Sequence, residues 1–329
     1  MKLLSISTDR KIFERGSAVA QRQIEYAKKY EEMHIIVFAD KSFNEISLAP
    51  NLWVYPTRSA SKWRYVFDAL KLGRFIVEKR GITHVTTQDP FETGLVGALI
   101  KNRHTIELEL QIHTDIGSPY FQKFTKLNRI RTLISKYTLV RANHVRVVSE
   151  RIKKYVEKYV EPSKIEVRPV PVDVEKIKNA SIFAGADLHA KYPQFSKIVL
   201  MASRLEPEKN IEMAIKAFKI VLETMPQAGL VIVGSGSEES GLKKLVQRLG
   251  IEKAVMFEEW HNNLASYYKT CDCFLVTSWY EGYGMTLVEA KAAGAKIVST
   301  DVGVAGEVGA EVVGYRPEDV GYGILQNIT

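Results

Sequence analysis

Two cations and two carboxylates in this sequence are of types that could bind a polyanion and hydroxyl groups. Arg204 and Lys209 precede a predicted helix, and Glu281 and Glu289 stand eight residues apart in the glycine-containing segment 278–290. Cations at a helix N-terminus can grip a polyanion such as a diphosphate, because the helix dipole and the charges have the same sign. Carboxylates accept hydrogen bonds from sugar hydroxyls. A pair of carboxylates can also act as the catalytic acid and nucleophile of a glycosidase.

Each of these features also has a purely structural interpretation. Arg204 and Lys209 are equally consistent with solvated surface residues balanced by Glu206 and Glu208, since exposed ion pairs are worth little. Glu289 is different, because its apolar neighbours predict a largely buried helix. A carboxylate in that setting needs a partner.

Glycines mark two further turns. Gly234 and Gly236 follow the apolar run Leu230 to Val233, and such a turn lets a phosphate or base approach the backbone. The third glycine of the dinucleotide fingerprint is missing, and a tight turn that needs positive φ is at least as good an interpretation. In residues 282–286 the glycines let backbone N–H groups point towards a phosphate or sugar oxygen.

The elements that must position these residues follow an alternating pattern. Short apolar, β-branched runs alternate with segments of helical period, which indicates parallel strands joined by helices. Strands are predicted at residues 3–7, 34–39, 84–87, 105–111, 145–148, 164–167, 198–201, 229–233, 254–257, 273–276 and 296–299. The predicted fold class is α/β, with two doubly wound Rossmann-like domains and a ligand site in the cleft between them, at the carboxyl ends of the strands.

The length of 329 residues fits two domains. A proline-containing connector, Val167 to Asp173, separates an N-terminal domain, residues 1–172, from a C-terminal domain, residues 173–329. The net charge of +8 is divided unevenly, with 30 basic and 18 acidic residues in the first domain and 16 and 20 in the second. The first domain is therefore expected to face an anionic partner.

Composition excludes several classes of protein. Hydrophobic residues make up 46% and charged residues 26% of the chain, which is typical of a globular protein and excludes a disordered or fibrous one. The two cysteines, Cys271 and Cys273, cannot form a disulfide framework or a zinc site by themselves. No apolar run reaches the roughly 18 residues of a membrane span, and no secretory signal is recognisable. These features predict a cytoplasmic protein, with a peripheral position on a membrane left open.

The second domain resembles the donor-binding domain of family 4 retaining glycosyltransferases, the group 1 glycosyl transferase type with the GT-B fold. The resemblance covers some 110 residues in consistent order. Its segments are Ser203, Arg204 and Lys209, then 234–236, 255–257, 267–272, 281–290, 293–294 and 300–303.

The resemblance implies a role for each matching residue. Arg204 and Lys209 neutralise the nucleotide diphosphate, and Glu289 holds the ribose hydroxyls. The nucleobase lies in the region of residues 255–260. The residues expected to contact the nucleotide sugar are Ser203, Arg204, Lys209, Gly234, Gly236, Phe257, Trp260, Glu281, Gly282, Tyr283, Gly284, Met285, Thr286, Leu287 and Glu289.

The first domain contributes two expected site residues. Gly16 resembles the family's glycine-containing loop, which faces the donor phosphate and the acceptor. His113, in Gln111 to Asp115 after a predicted strand, resembles the family's active-site histidine. The alternative for His113 is a structural histidine bonded to Asp115. The expected catalytic group is thus His113, Glu281, Arg204 and Lys209.

The sequence thus predicts a retaining hexosyltransferase that uses a UDP- or GDP-linked sugar, a glycan or lipid-linked acceptor, no metal and no cofactor. A GT-B sugar-nucleotide epimerase or phosphorylase is the nearest alternative, and a Rossmann-type oxidoreductase is the rival from another class. A nucleic-acid-binding protein is disfavoured, because no base-reading motif accompanies the basic domain. Basic segments at residues 61–80 and 120–137 fit an anionic membrane surface or ordinary packed helices equally well. Family members usually continue with further helices, so the second domain is expected to be short at its C-terminus.

Overall fold

The computed structural model describes residues 1–261 and 264–329. Within these residues the chain divides into two compact units, residues 1–168 and 169–329. Each unit contains a largely parallel β-sheet whose strands are connected by helices. The predicted α/β class with two Rossmann-like domains is therefore confirmed.

The first unit, which is described in full, has one sheet of eight strands in the order β3-β4-β2-β1-β5-β6-β7-β8. The strands are β1 (Lys2–Ser7), β2 (Glu32–Val37), β3 (Ile46–Ala49), β4 (Leu52–Pro56), β5 (His84–Thr87), β6 (Glu107–Ile112), β7 (His144–Val147) and β8 (Ile165–Val167). The helices are α1 (Ala18–Ala27), α2 (Tyr65–Arg80), α3 (Glu92–Lys101), α4 (Pro119–Phe124), α5 (Lys126–Leu139) and α6 (Glu150–Val156).

The hairpin of β3 and β4 was not predicted. β3 pairs antiparallel with β4, whereas every other pairing in this sheet is parallel. β3 lies at the sheet edge and its residues are at most partly buried. A short strand of this kind shows little of the apolar run that identified the central strands.

The described part of the second unit has six parallel strands in the order β11-β10-β9-β12-β13-β14. They are β9 (Lys197–Ala202), β10 (Ala228–Val233), β11 (Val255–Glu258), β12 (Cys273–Val276), β13 (Ile297–Thr300) and β14 (Glu311–Val313). The helices are α7 (Val174–Lys178), α8 (Leu188–Lys191), α9 (Ile211–Thr224), α10 (Glu239–Leu249), α11 (Leu264–Thr270), α12 (Met285–Ala292) and α13 (Pro317–Ile328). Counted from β9, this is the 3-2-1-4-5-6 order of a Rossmann fold.

Both faces of the second sheet are buried. Along β9, Val199 and Met201 pack with the core beside α9, α10 and α13, whereas Ile198 and Leu200 pack with the core beside α8, α11 and α12. This two-sided burial explains why the strands are continuous apolar runs rather than alternating ones. Among the described residues, no helix has the length and apolar composition needed to cross a lipid bilayer.

Candidate active site

Two polar loops meet where the second sheet reverses its strand order, between β9 and β12. Such a reversal opens a crevice at the carboxyl ends of parallel strands, where ligands bind. The loop after β9 spans residues 203–210 and the loop after β12 spans residues 277–284. The topology thus brings together Lys209 and Glu281, which are 72 residues apart in the sequence.

Lys209 and Glu281 form a largely buried ion pair. Lys209 Nζ lies 2.5 Å from Glu281 Oε1, and the two side chains are only 14% and 18% exposed. Ser278 Oγ donates to the same carboxylate oxygen at 2.8 Å. Glu281 is therefore fixed by two donors on Oε1.

Arg204 is placed differently from Lys209. Its side chain is 70% exposed, and Nη2 donates to Glu208 Oε1 at 2.7 Å, four residues further along the chain. Arg204 thus forms the surface ion pair that its structural interpretation predicts. Its partner is Glu208, whereas Glu206 accepts hydrogen bonds from Ser237 N and Oγ.

Hydrogen bonds to main-chain carbonyl oxygens hold the two loops together. Thr277 Oγ1 donates to the carbonyl oxygens of Lys209 and Asn210 at 3.1 and 3.0 Å. Trp279 N donates to Glu208 O at 2.9 Å. The position of the Lys209 ammonium relative to Glu281 is therefore set by backbone contacts as well as by charge.

The glycine turn after β10 serves close backbone packing. Gly234 has φ of +147°, and a Cβ atom there would lie 1.8 Å from Ser203 O. Ser203 N in turn donates to Val233 O at 3.1 Å. Gly236 lies in the same turn, and the β9 and β10 loops are thereby held side by side. The structural interpretation of this turn accounts for Gly234 without a ligand.

Helix α12 begins directly beside Glu281. Gly284, with φ of +87°, is its N-cap, and Met285 and Thr286 open its first turn, where N–H groups lack intrahelical acceptors. Met285 is 44% exposed, whereas the side chain of Leu287 is fully buried in the core. The helix start can face an anion, and the expected contact of Leu287 with a ligand cannot involve its buried side chain.

Glu289 has the partner that its burial required. Tyr268, on α11, donates its hydroxyl to Glu289 Oε2 at 3.0 Å. Tyr268 is 1% exposed, and burial together with the nearby Glu289 carboxylate raises its pKa well above the usual range. Tyr268 therefore stays a hydrogen-bond donor at any working pH, and it fixes Glu289 on the inner side of α12.

A second carboxylate network lies at the end of β11, near the expected nucleobase region of Phe257 and Trp260. Trp260 is 49% exposed. Glu258 is 11% exposed, and three donors lie within 2.7 Å of it: Lys191 Nζ, Tyr192 OH and Tyr267 OH. Although burial alone raises the pKa of Glu258, these hydrogen bonds lower it. Sequence reasoning missed this network, since Lys191 and Tyr192 lie in a segment without periodicity.

The two expected site residues of the first unit follow strands of its sheet. Gly16, with φ of +85°, is in the exposed connection between β1 and α1. His113 directly follows β6 and is exposed, yet the protein atoms around it and the positive charge of Arg146 lower its pKa. The carboxylate of Asp115 accepts from Gly117 N and Ser118 N. The lowered pKa favours the neutral form of the His113 ring.

Family comparisons match both units. Residues 189–315 match the family model of glycosyl transferases group 1, and residues 24–176 match that of glycosyltransferase family 4. An uncharacterized glycosyltransferase of Methanocaldococcus jannaschii is 25% identical over 79% of this chain, and the match spans 63% of that protein's length. The alpha-monoglucosyldiacylglycerol synthase of Streptococcus pneumoniae is 26% identical over 86% of this chain and 67% of its own.

Solved structures share the fold. Sucrose-phosphate synthase from Thermosynechococcus elongatus superposes with a TM-score of 0.78 at 18% identity, covering 99% of this chain and 89% of that one. The structure of Anabaena HepE in complex with UDP superposes with a TM-score of 0.71 at 19% identity. It too covers 99% of this chain and 89% of the other. These neighbours are GT-B glycosyltransferases, and the predicted GT-B fold is confirmed.

Thr277→Val is expected to loosen the two-loop arrangement. The substitution removes the hydroxyl that donates to the carbonyl oxygens of Lys209 and Asn210. Thr277 is 1% exposed, so water cannot easily replace that donor. The free energy of unfolding should fall by about 1–3 kcal/mol, the cost of buried groups that lose a partner. Chemical denaturation measures this. Thr224→Val, at the exposed end of α9, is the control and should change stability by less than about 0.5 kcal/mol; equal effects of the two variants would contradict the assigned role.

Proposed function

The chain belongs to family 4 of the glycosyltransferases, and from that premise we propose that it is a retaining hexosyltransferase using a nucleotide diphosphate sugar. The proposed acceptor is a glycan or lipid-linked hydroxyl. The observation that carries the proposal is the pairing of Lys209 with Glu281 beside the start of α12. In this proposal Lys209 is the cation that binds the diphosphate, and the neighbouring Glu281 carboxylate binds the sugar.

Departure of the nucleoside diphosphate is the step that this site favours. As the bond between the sugar C1 and the phosphate oxygen breaks, negative charge develops on the leaving group. Lys209, Arg204 and the N–H groups at the start of α12 supply positive charge and dipoles that are already oriented, which is the most effective form of electrostatic catalysis. In this proposal they do so without a metal ion.

The rest of the nucleotide is assigned to neighbouring residues. Glu289, held by Tyr268, accepts from the ribose hydroxyls. Phe257 and the half-exposed Trp260 lie where the base binds. HepE and its complex with UDP support a uridine nucleotide as the first candidate donor, with GDP sugars as the alternative.

Retention of configuration follows from attack on the same face of the sugar. The acceptor oxygen forms the new bond to C1 while the phosphate oxygen leaves, and the acceptor proton passes to that departing oxygen. His113, whose pKa is lowered, is proposed to hydrogen-bond the substrate, because a neutral ring donates or accepts one hydrogen bond.

A lipid-linked acceptor fits an exposed aromatic surface of the first unit. Trp63, Phe67 and Phe75 are 95%, 63% and 56% exposed. Phe67, Lys71 and Phe75 follow Trp63 at intervals of four residues, so these side chains share one face of α2 and the turn before it. We propose that this aromatic stripe rests on an anionic membrane at the cytoplasmic face. The pneumococcal relative is named for a lipid product, a glucosyldiacylglycerol.

A nucleotide panel tests the donor. UDP, GDP, ADP and their sugars are compared by thermal shift, and a ligand present at 100 times its Kd adds about 2.7 kcal/mol to the apparent stability. We expect UDP or GDP and its sugars to raise the Tm. Stabilisation by NADH alone would instead support the oxidoreductase. Product analysis with and without acceptor separates a transferase from an epimerase or a phosphorylase.

Lys209→Ala and Arg204→Ala test the leaving-group role. Each substitution removes a cation that stabilises the negative charge developing on the phosphate. Turnover should therefore fall by about 10²-fold or more. Lys216→Ala is the control, because Lys216 lies on the surface of α9 in an exposed pair with Glu212. Near-normal activity of Lys209→Ala would contradict the assignment.

Trp63→Ala combined with Phe67→Ala tests the membrane surface. Co-sedimentation with vesicles containing phosphatidylglycerol should weaken by about tenfold or more, since each buried aromatic ring contributes on the order of 1.5–3 kcal/mol. Tyr322→Ala, a 62% exposed aromatic of the second unit, serves as the matched control. Unchanged sedimentation of the double variant would exclude this surface.

A further inference from the structure

Both cations assigned to the diphosphate already have carboxylate partners within the chain. Arg204 donates to Glu208 at 2.7 Å, and Lys209 donates to Glu281 at 2.5 Å. A diphosphate that binds these cations must therefore share or replace an anion that the protein itself supplies. The two internal anions differ in how strongly they compete.

Burial determines how strongly each carboxylate competes with the diphosphate for its cation. Arg204 is 70% exposed, so water and salt screen its attraction to Glu208 and the pair is weak. Lys209 and Glu281 are 14% and 18% exposed, so their attraction is screened much less. Removal of one partner from such a pair leaves the other charge uncompensated in a poorly solvated place.

We propose that Glu281 is an internal counter-anion that competes with the diphosphate for Lys209 and so speeds release of the nucleoside diphosphate product. The inference rests on the proposed function for the identity of the ligand. Before transfer, the donor sugar compensates Glu281 for the loss of Lys209, because a sugar hydroxyl can donate to the Glu281 carboxylate. After transfer no sugar remains on the nucleotide, and Glu281 draws Lys209 back.

Ser278 makes this exchange possible without moving Glu281. Ser278 Oγ donates to Glu281 Oε1 at 2.8 Å, and Ser278 O accepts from Thr300 Oγ1 at 2.8 Å. Ser278 is 2% exposed, so solvent competes little for these hydrogen bonds. Among the described residues neither Lys209 nor Ser278 donates to Oε2, which leaves that oxygen for a sugar hydroxyl.

Calorimetry with inorganic pyrophosphate tests the competition without a base or sugar. Glu281→Gln keeps the shape of the side chain and removes its charge, so pyrophosphate should bind about tenfold more tightly than to the unaltered protein. This is the scale of one hydrogen bond to a charged group. Glu208→Gln should change the affinity less than about twofold, because Arg204 is solvated. Glu212→Gln removes the same charge from the distant surface of α9 and should have no larger effect.

The double variant Lys209→Ala/Glu281→Gln isolates the pair. If the competition acts through Lys209, the tightening must vanish when Lys209 is absent, which the double-mutant cycle measures directly. Glu281→Asp withdraws the carboxylate from Lys209, so its pyrophosphate affinity should lie between those of the unaltered protein and Glu281→Gln. This variant also provides the test if Glu281→Gln folds poorly. Pyrophosphate affinity that is unchanged or weaker in Glu281→Gln overturns the inference.

A second titration with UDP separates this inference from the proposed function. We expect Glu281→Gln to tighten UDP binding more than UDP-glucose binding, since the variant also loses the charged acceptor for the sugar hydroxyl. Tighter pyrophosphate binding with no binding of any nucleotide would contradict the proposed function and leave the counter-anion intact. Equal tightening of UDP and UDP-glucose would overturn the role of Glu281 in separating donor from product.

Discussion

The buried ion pair of Lys209 and Glu281 is the contact on which the arrangement of the second unit's site depends. It joins the loop after β9 to the loop after β12, and the strand order of the sheet reverses between these two strands. The backbone bonds from Thr277 and Trp279 reinforce the same junction. Because the two charges are poorly solvated, each requires the other until a ligand takes its place.

The remaining parts of the site are arranged around that junction by packing. Gly234 lets the β10 loop lie against Ser203, and the buried Tyr268 fixes Glu289 on α12. Glu258 anchors the end of β11 through three donors. In the proposed function, phosphate, ribose and base are assigned to positions near the carboxyl ends of these strands. Hydrogen bonds within the chain hold the side chains at each of these positions.

The first unit has a different physical character. It carries the excess of positive charge, and α2 and the turn before it present aromatic rings to solvent beside cations. Arg64 lies over the ring of Phe67 and Lys79 over that of Phe75. Cations beside exposed rings are the observation on which the proposed membrane surface rests.

The sequence by itself determined the architecture, most of the strands and the residue types of the site, because apolar runs and helix periods are local signals. It missed the β3 and β4 hairpin at the sheet edge, where that signal is weak. The prediction that Leu287 contacts the ligand is untested, and burial of its side chain in the core restricts any such contact to its backbone. Only the tertiary structure decided which charges meet: Lys209 pairs with Glu281 and Arg204 with Glu208. Pairing depends on strand order and burial, and neither is a property of residues that are neighbours in sequence.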